Sequence, residues 1–548
     1  MDAPARTLTP AVDRARDRTW WVGLAAIVAL AAVLRLASLP TRATWDADQG
    51  HDMLILMAFV RDGVFPLLGP PTSIGDFHHG AAYYYLLAPA AWLGGGDPAV
   101  VVGEIAVLGV LAVALVASLA RAVGGSLAGL VAGLAMAVSA TAVDESTFLW
   151  NPNLVAFTSA LAVSAAWRAW TTRRARWWLL AAAAQAATMQ CHVLGFVLLP
   201  PLVAWLIADA RRRPATERRA VLLAAVGSAA VIGLSYLPLL VSELQTGFHE
   251  SSAAIAFLAG GSQAVAAGPL VRLIFVTLRI LAWPVTGLLL DTLAVGVPAA
   301  IVVATFAVWR ARSAGGPERE MARWLVATMA WSCLILGIAI SGLATVTPLP
   351  VDHYHAFLDP LVFLAVGLGV AGLARLGRPV AGRAAGTATG SAARWLLAGR
   401  PVTLGAIGAF AVVVALAGWN LLRLPPSVAV DGGYPAAEQA ARRIVTDVGG
   451  RTGLLASLPS FKTAEAYAYP VDRLGGQLYP SVPSTFGLDA YVVVCDALFV
   501  PDCRGPAEDQ AVAALAQPLR LVDRFTAAPG RTISVYIGSA PVVLTGGR

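Results

Sequence analysis

The sequence predicts an α-helical polytopic membrane protein of about 11 transmembrane helices with a small C-terminal extracytoplasmic α/β domain. Three observations carry that reading. The 548-residue chain is 58% hydrophobic and only 13% charged, about half the charged share of a typical soluble domain. Its apolar residues stand in blocks near twenty long, the length a helix needs to cross roughly 30 Å of hydrocarbon. They do not alternate as barrel strands of roughly ten residues would. Between the blocks lie arginine clusters which, with one lysine at Lys462, outweigh the acids to give a net charge of +7. Charge placed this way reads as topology, not nucleic-acid binding, because basic loops are retained on the cytoplasmic side.

The elements follow in order. Arg14, Arg16 and Arg18 hold residues 1–19 in the cytoplasm, so the first span, 20–39, runs outward. That run is too long for a cleaved signal peptide and no small-residue cleavage site follows it. Further spans are predicted near 98–120, 125–143, 154–170, 177–190, 192–208, 220–241, 286–309, 324–343, 357–374 and 402–422. Every second connection then holds arginines: Arg121, then Arg173/Arg174/Arg176, Arg211–Arg213 with Arg218/Arg219, Arg310/Arg312/Arg319, and Arg375/Arg378/Arg383/Arg394. The stretch 177–208 lies between two basic loops and must hold two short helices turning at Gln190-Cys191-His192, which neighbouring helices would have to cover. Arg35, about one turn from the end of the first span, is expected to snorkel outward. Residues 20–422 thus form the membrane domain, and the odd number of spans puts 423–548 outside. There Pro435–Val448 reads as an amphipathic helix and Leu454-Leu455, Tyr491–Val494 and Ile533–Ile537 as strands. Cys495 and Cys503 can form a disulfide in that compartment. Cys191 and Cys333, inside apolar blocks, are read as buried hydrophobes.

The outer loops carry the chemistry. The first, 41–97, is far longer than a connection requires. It opens Trp45-Asp46-Ala47-Asp48-Gln49-Gly50-His51-Asp52, and the apolar series Met53, Leu54, Leu56, Met57, Phe59 and Val60 then has the spacing of an interfacial helix. Gly69-Pro70-Pro71, Asp76-Phe77-His78-His79-Gly80 and Tyr83-Tyr84-Tyr85 follow. The bland readings are solvated loop acids and an aromatic belt, and the His78/His79 pair lacks matching metal-ligand spacing. Asp144-Glu145 and Trp150–Asn153 read equally as helix-starting turns or as part of a site. Gln190 and His192 mark an outer turn. Arg272 and Arg279, seven apart, would share a helical face; they suit a phosphate-bearing lipid head group or general contact with anionic lipid. Asp352-His353-Tyr354-His355 stands at the outer entrance of the tenth span.

The order of acid cluster, interfacial helix, His–Gly turn and tyrosine-rich stretch resembles the first periplasmic loop of the GT-C glycosyltransferases. The resemblance is to bacterial membrane proteins of the glycosyltransferase family 39 type, related to protein O-mannosyltransferases and to aminoarabinose transferases acting on lipid A. It is best over the first 100 residues, extends by helix count to about 375, and shows no motif in the C-terminal domain. It implies a glycosyltransferase of the plasma (inner) membrane that moves a hexosyl or pentosyl group, with inversion, from a polyprenyl-phosphate donor to an extracytoplasmic glycan, lipid or protein acceptor. Membrane lipid is a further partner and nucleic acid is not one. Asp48 stands as general base, with Asp46 supporting it or sharing a divalent cation (Mg or Mn) with it; no other cofactor is expected. His79, His78, His192, Arg272, Arg279, His353, Tyr354 and His355 are the expected donor-phosphate and substrate contacts. Two departures stand out: Gln49 replaces a second carboxylate, and His79 lies where relatives often carry a lysine. No glycine-rich nucleotide loop is found, in keeping with a lipid-linked donor. The alternatives are a lipid or glycan transporter or flippase, which would place ionisable groups near the midplane, and a non-enzymatic protein displaying its C-terminal domain. The span interiors are almost free of charge, with Glu104 near the start of the second span and Arg35 near the end of the first.

Overall fold

The computed structural model describes residues 10–72, 76–260, 268–287, 293–339, 355–376, 403–459, 464–480, 487–500, 502–515 and 518–543. His353 and Tyr354 of the expected site lie outside the described residues. The chain enters through α1 (Pro10–Leu36). The first loop then covers one end of the bundle with α2 (Ala47–Asp62), the antiparallel pair β1 (Leu68–Pro71) and β2 (His78–Gly80), and α3 (Ala82–Leu93). Next come α4 (Pro98–Gly124), α5 (Ser126–Val138), α6 (Val155–Thr172), α7 (Arg176–Cys191), α8 (Leu199–Arg212, entered through a 3-10 turn from Val193) and α9 (Ala215–Ser235). The membrane part ends with α10 (Pro269–Thr286), α11 (Leu293–Ser313), α12 (Gly316–Leu334), α13 (Asp359–Leu373) and α14 (Leu404–Leu421).

Among the described residues nine helices are long and apolar enough to cross a membrane, α10 included. Yet both ends of α10 lie at the face that carries the first loop. Near its start Arg272 Nε donates to the Gly337 carbonyl just beyond α12 (3.4 Å). At its end the Pro284 and Val285 carbonyls accept from Ser139 Oγ (2.7 Å) and Asn420 Nδ2 (2.9 Å), at the matching ends of α5 and α14. Helix α10 therefore runs across the end of the bundle. Setting it aside leaves eight such helices among the described residues, and the shorter or less apolar α5, α6 and α7 pack among them.

The opposite face collects the arginines. Buried Asp209 accepts from Arg213 Nη2 (2.7 Å) and Arg212 Nε (3.0 Å), and Glu318 pairs with Arg310 (2.7 Å) and Arg375 (2.9 Å). Small residues let the helices close up, as membrane packing requires. A Cβ at Gly129 of α5 would overlap the Ala117 carbonyl of α4 and the Trp20 ring of α1. Arg35 does not snorkel. It is fully buried, donating to the carbonyls of Met136 (3.1 Å), Ala137 (3.0 Å) and Ala142 (3.2 Å) and to Ser146 Oγ (3.2 Å). The last carbonyls of α5 lack intrahelical donors and carry the negative end of its dipole, so a guanidinium is drawn inward to them.

The C-terminal region comprises α15 (Gly433–Val448), β3 (Thr452–Leu458), α16 (Ala464–Arg473), β4 (Gln477–Tyr479), β5 (Gly487–Asp496), α17 (Pro506–Ala513), β6 (Leu519–Ala528) and β7 (Arg531–Val543). Its sheet has the order β4-β3-β5-β7-β6. The first three strands are parallel, with α16 as the crossover that parallel strands need, and β7 pairs antiparallel with both β5 and β6. Cys495 and Cys503 are disulfide-bonded. This region rests on the first loop: α16 lies along α2 so closely that a Cβ at Gly50 would overlap the Glu465 carbonyl. Trp45 Nε1 donates to the Ala466 carbonyl (2.6 Å).

Candidate active site

Four pieces of chain meet beneath that contact: the first turns of α2, the β1–β2 hairpin, the turn around Asn151, and His192 after α7. With Glu465 from α16 they enclose a cavity of about 510 Å³, lined by Asp48, His51, Asp52, His79, Asn151 and His192 among others. The local sequence explains why α2 starts where it does. Asp46 is its N-cap, accepting from the Ala47 amide (2.7 Å), while Gln49 Oε1 accepts from the Asp46 amide (2.8 Å). This is a capping box, formed by a side-chain acceptor at the cap and Gln49 three residues on. Gln49 Nε2 also donates to the Leu149 carbonyl (2.8 Å), so both its amide oxygen and its nitrogen are used where a carboxylate could satisfy only one of the two contacts.

The three acids of the opening segment have separate surroundings. Asp46 Oδ1 is paired with Arg531 Nη2 of β7 at 2.8 Å. Its charge is thereby answered by that guanidinium. Among the described residues no cluster of three or more His, Cys, Asp or Glu side chains could hold a metal ion. Asp48 projects from the first turn of α2 as an exposed residue in the cavity wall. Asp52, one turn on, is buried and accepts from Tyr83 Oη and Tyr84 Oη at 2.8 Å each. Burial pushes its carboxyl up to about 7, against the opposing pull of the two tyrosine hydroxyls and His51. Tyr83 and Tyr84 are therefore not belt residues: they are buried against Asp52, while Tyr85 Oη donates to the Pro66 carbonyl (2.6 Å).

His51 faces the cavity with Nδ1 3.0 Å from Glu465 Oε1. That hydrogen bond, with the nearby charges of Glu465, Asp52 and Asp48, raises its pKa above the ordinary histidine value in spite of partial burial. His79 behaves in the opposite way. Burial drives it down to about 3, with His78 adding to the shift, and its Nδ1 accepts from the Val193 amide (3.3 Å). It is a neutral ring, not a lysine substitute. His192 is likewise held neutral by burial, with Nδ1 accepting from the Leu194 amide (3.3 Å) and its ring 4.9 Å from that of His79. A neutral imidazole that accepts at Nδ1 carries its proton on Nε2, so both rings are hydrogen-bond donors without charge.

The remaining expected residues fall outside the cavity wall. His78 is clamped by Glu250, which accepts from its Nδ1 (3.0 Å) and its backbone amide (2.7 Å). Arg279 is buried with its guanidinium over the Phe275 ring. It adjoins His355, which burial and that positive charge keep neutral. His355 in turn influences His192, so these groups form a layer behind the cavity. Arg272 lies seven residues, about 10 Å of helix axis, from Arg279 and bonds elsewhere, at Gly337. The structure thus divides this pair between two environments. Sequence reasoning missed Glu465 and the contribution of His51. The first has no local signal, lying 414 residues from its partner; for the second, the clue was a basic residue one turn after an N-cap acid. His51 also borders a second cleft of about 340 Å³, whose walls include Ile55, Ala58, Val64, Leu67 and Leu68.

The site is thus a charged cavity at one face of the helical bundle, roofed by a first-loop helix and a C-terminal α/β region. Residues 78–236 match the family model described as dolichyl-phosphate-mannose-protein mannosyltransferase; the match begins downstream of the acid cluster. Among solved structures, ArnT from Cupriavidus metallidurans in the apo state shares the fold over 97% of this chain and 100% of that one, at 15% identity and a TM-score of 0.59. The same protein bound to undecaprenyl phosphate matches over 96% of this chain and 99% of that one, at 14% identity and a TM-score of 0.60. At such identities the likeness is one of fold. A comparison with curated proteins gave no match.

Proposed function

We propose that this chain is a polyprenyl-phosphate-dependent glycosyltransferase acting at the extracytoplasmic face of the plasma membrane. The observation that carries the reading is the junction at His51. A polar cavity containing an exposed carboxylate meets an apolar cleft at a protonatable imidazole. An amphiphile with a phosphate between an isoprenoid chain and a sugar has that division of polarity. The fold is shared with a protein solved in complex with undecaprenyl phosphate, and the arginine-rich opposite face reads as cytoplasmic.

In this reading Asp48 is the general base. The acceptor hydroxyl loses its proton to Asp48 as its oxygen bonds the anomeric carbon, and the bond from that carbon to the phosphate oxygen breaks. Polyprenyl phosphate leaves and configuration inverts, with no enzyme nucleophile. Asp46 is engaged by Arg531 and by its own helix, and Asp52 is recessed behind two tyrosines, which leaves Asp48 as the acid presented to an acceptor. Charge developing on the leaving phosphate is met by N–H donors: His51 in its protonated form and the Nε2–H groups of the neutral His79 and His192. The hydrocarbon chain lies in the cleft along α2. The test is sugar transfer from a polyprenyl-phosphate donor by the protein in lipid nanodiscs, with the native donor first identified by mass spectrometry of co-purifying lipid. Purified protein that neither retains nor turns over any polyprenyl-phosphate sugar overturns the proposal.

A further inference from the structure

Of the contacts between the C-terminal region and the first loop, most are well suited to adhesion: Arg531 with Asp46, Trp45 with the Ala466 carbonyl, and Tyr469 Oη with the Gly96 carbonyl. The pair His51–Glu465 differs because both side chains line the catalytic cavity and both stay about one-third exposed there. The geometry points to Glu465 as a positioning residue of the active site: by accepting the Nδ1 proton of His51 it turns the Nε2–H edge of that ring toward the donor phosphate, so that the C-terminal domain completes the site. The inference rests on the glycosyltransferase reading above.

Two features of the packing support it. First, the distance between ring and carboxylate is set by backbone. Helices α2 and α16 touch at Gly50, where any side chain would overlap the Glu465 carbonyl itself, and Trp45 ties the same turn of α16 to the start of α2. With the backbone that carries the carboxylate fixed in this way, the hydrogen bond costs less entropy than one between two surface side chains on unconnected segments. Second, an imidazole whose Nδ1 is committed to a carboxylate has one remaining N–H on the far edge of the ring, and a fixed partner on one nitrogen decides what the other can do. The acidic groups facing His51 are Asp48 and Asp52 on its own helix and Glu465 on α16. The other cavity imidazoles, His79 and His192, are neutral. Glu465 is the one of the three acids that bonds His51 directly, and its hydrogen bond is the largest influence keeping the ring protonated.

The experiment measures binding of undecaprenyl phosphate to the full-length protein in nanodiscs between pH 5.5 and 8.5. Wild type is compared with Glu465→Gln, Glu465→Asp and the double variant His51→Arg/Glu465→Gln. Titration of the lipid phosphate is common to all four, so differences between the profiles report on the protein. Losing Glu465 lowers the pH at which His51 gives up its proton. Glu465→Gln should therefore bind about tenfold more weakly above neutrality, the scale of one charge-assisted hydrogen bond, and regain wild-type affinity at the acid end. Glu465→Asp should fall between the two, and the double variant should bind with a profile free of histidine titration, because arginine stays charged. A Glu465→Gln profile that overlies wild type, or a uniform loss that neither acid nor His51→Arg restores, overturns the inference and leaves the pair as adhesion. If wild type does not bind undecaprenyl phosphate, the donor reading fails and the inference with it. Histidine-selective NMR of the ligand-free protein separates the two failures: an unmoved His51 titration in Glu465→Gln refutes the role of Glu465 itself.

Discussion

Asp52 offers a measurement that needs no substrate. Its carboxyl sits behind Tyr83 and Tyr84, and burial lifts it from 3.8 to about 7. In the unfolded chain it ionises near 3.8. Between those values the unfolded state binds fewer protons than the folded one, so stability falls as pH rises. The contribution is complete below about pH 4, is lost progressively up to about pH 7, and stays lost above that. At about 1.4 kcal/mol per pH unit the total is about 4 kcal/mol. Asp52→Asn abolishes this dependence while keeping a side chain that can accept from one tyrosine and donate to the other. The assay is thermal unfolding in detergent from pH 4.5 to 8 for wild type and variant. Relative to wild type, Asp52→Asn should gain a few degrees in Tm across that range, since a chain this long changes Tm by only about a degree per kcal/mol. His51 titrates in both proteins and largely cancels in the difference. Parallel curves would show that Asp52 is not a neutral buried acid, and the division of labour among the three acids would have to be redrawn.

Three other substitutions and labels are informative. Asp48→Asn should lower turnover by about 10² to 10⁴ with donor binding retained, as expected for a general base. Asp46→Asn should leave most activity, because Asn caps a helix about as well as Asp and the part-exposed pair with Arg531 contributes under about 1 kcal/mol; the reverse pattern of turnover would exchange their roles. Gly50→Ala should push α16 off α2, costing roughly 1–3 kcal/mol of stability and reducing transfer even though no catalytic group is altered, as a melt and an activity assay on the same preparation would show. A tag after Arg548 should react with an impermeant label on intact cells and one before Arg14 should not, and Cys495 and Cys503 should alkylate only after reduction; labelling of both tags would refute the odd number of crossings.

The membrane domain was largely legible because its signals are local. An apolar block marks a helix and the arginines beside it an end of one, so even the short α5 and α7 could be located. Helix α10 was only partly legible: its charges marked an outer segment, but hydropathy does not record whether an apolar helix runs through the bilayer or across the end of a bundle. That is decided by partners such as Gly337, Ser139 and Asn420, distant in sequence. Arg35 and the tyrosines show the same limit. Snorkelling and aromatic belts are sound defaults for such residues near a membrane boundary. The carbonyls at the end of α5 and the buried Asp52 are tertiary partners that override them. In the C-terminal region the helix Gly433–Val448 and the cores of β3, β5 and β7 could be read from periodicity. Helix α16, with Pro470 inside it and a mixed pattern, could not, and it is the element that reaches the cavity.

The opening of the first loop shows how one short segment assigns three chemically identical groups to three tasks. Helix geometry places Asp46 at the cap, Asp48 in the first turn and Asp52 one turn further on the same side, so a single rigid element fixes their spacing. Their environments then separate them. Asp46 is paired with Arg531 and caps the helix, Asp52 is desolvated, and Asp48 is exposed in the cavity wall. Identical carboxyls are thus given one arginine partner, one exposed position and one buried position. The arrangement also accounts for Gln49. A carboxylate there would add a fourth acidic group within seven residues and could not donate to the Leu149 carbonyl, so an amide suits this scaffold better than an acid. It follows that the C-terminal domain, through Arg531 on Asp46 and Glu465 on His51, supplies a charged partner to two residues of the same segment, and that removing it should alter the chemistry of the first loop.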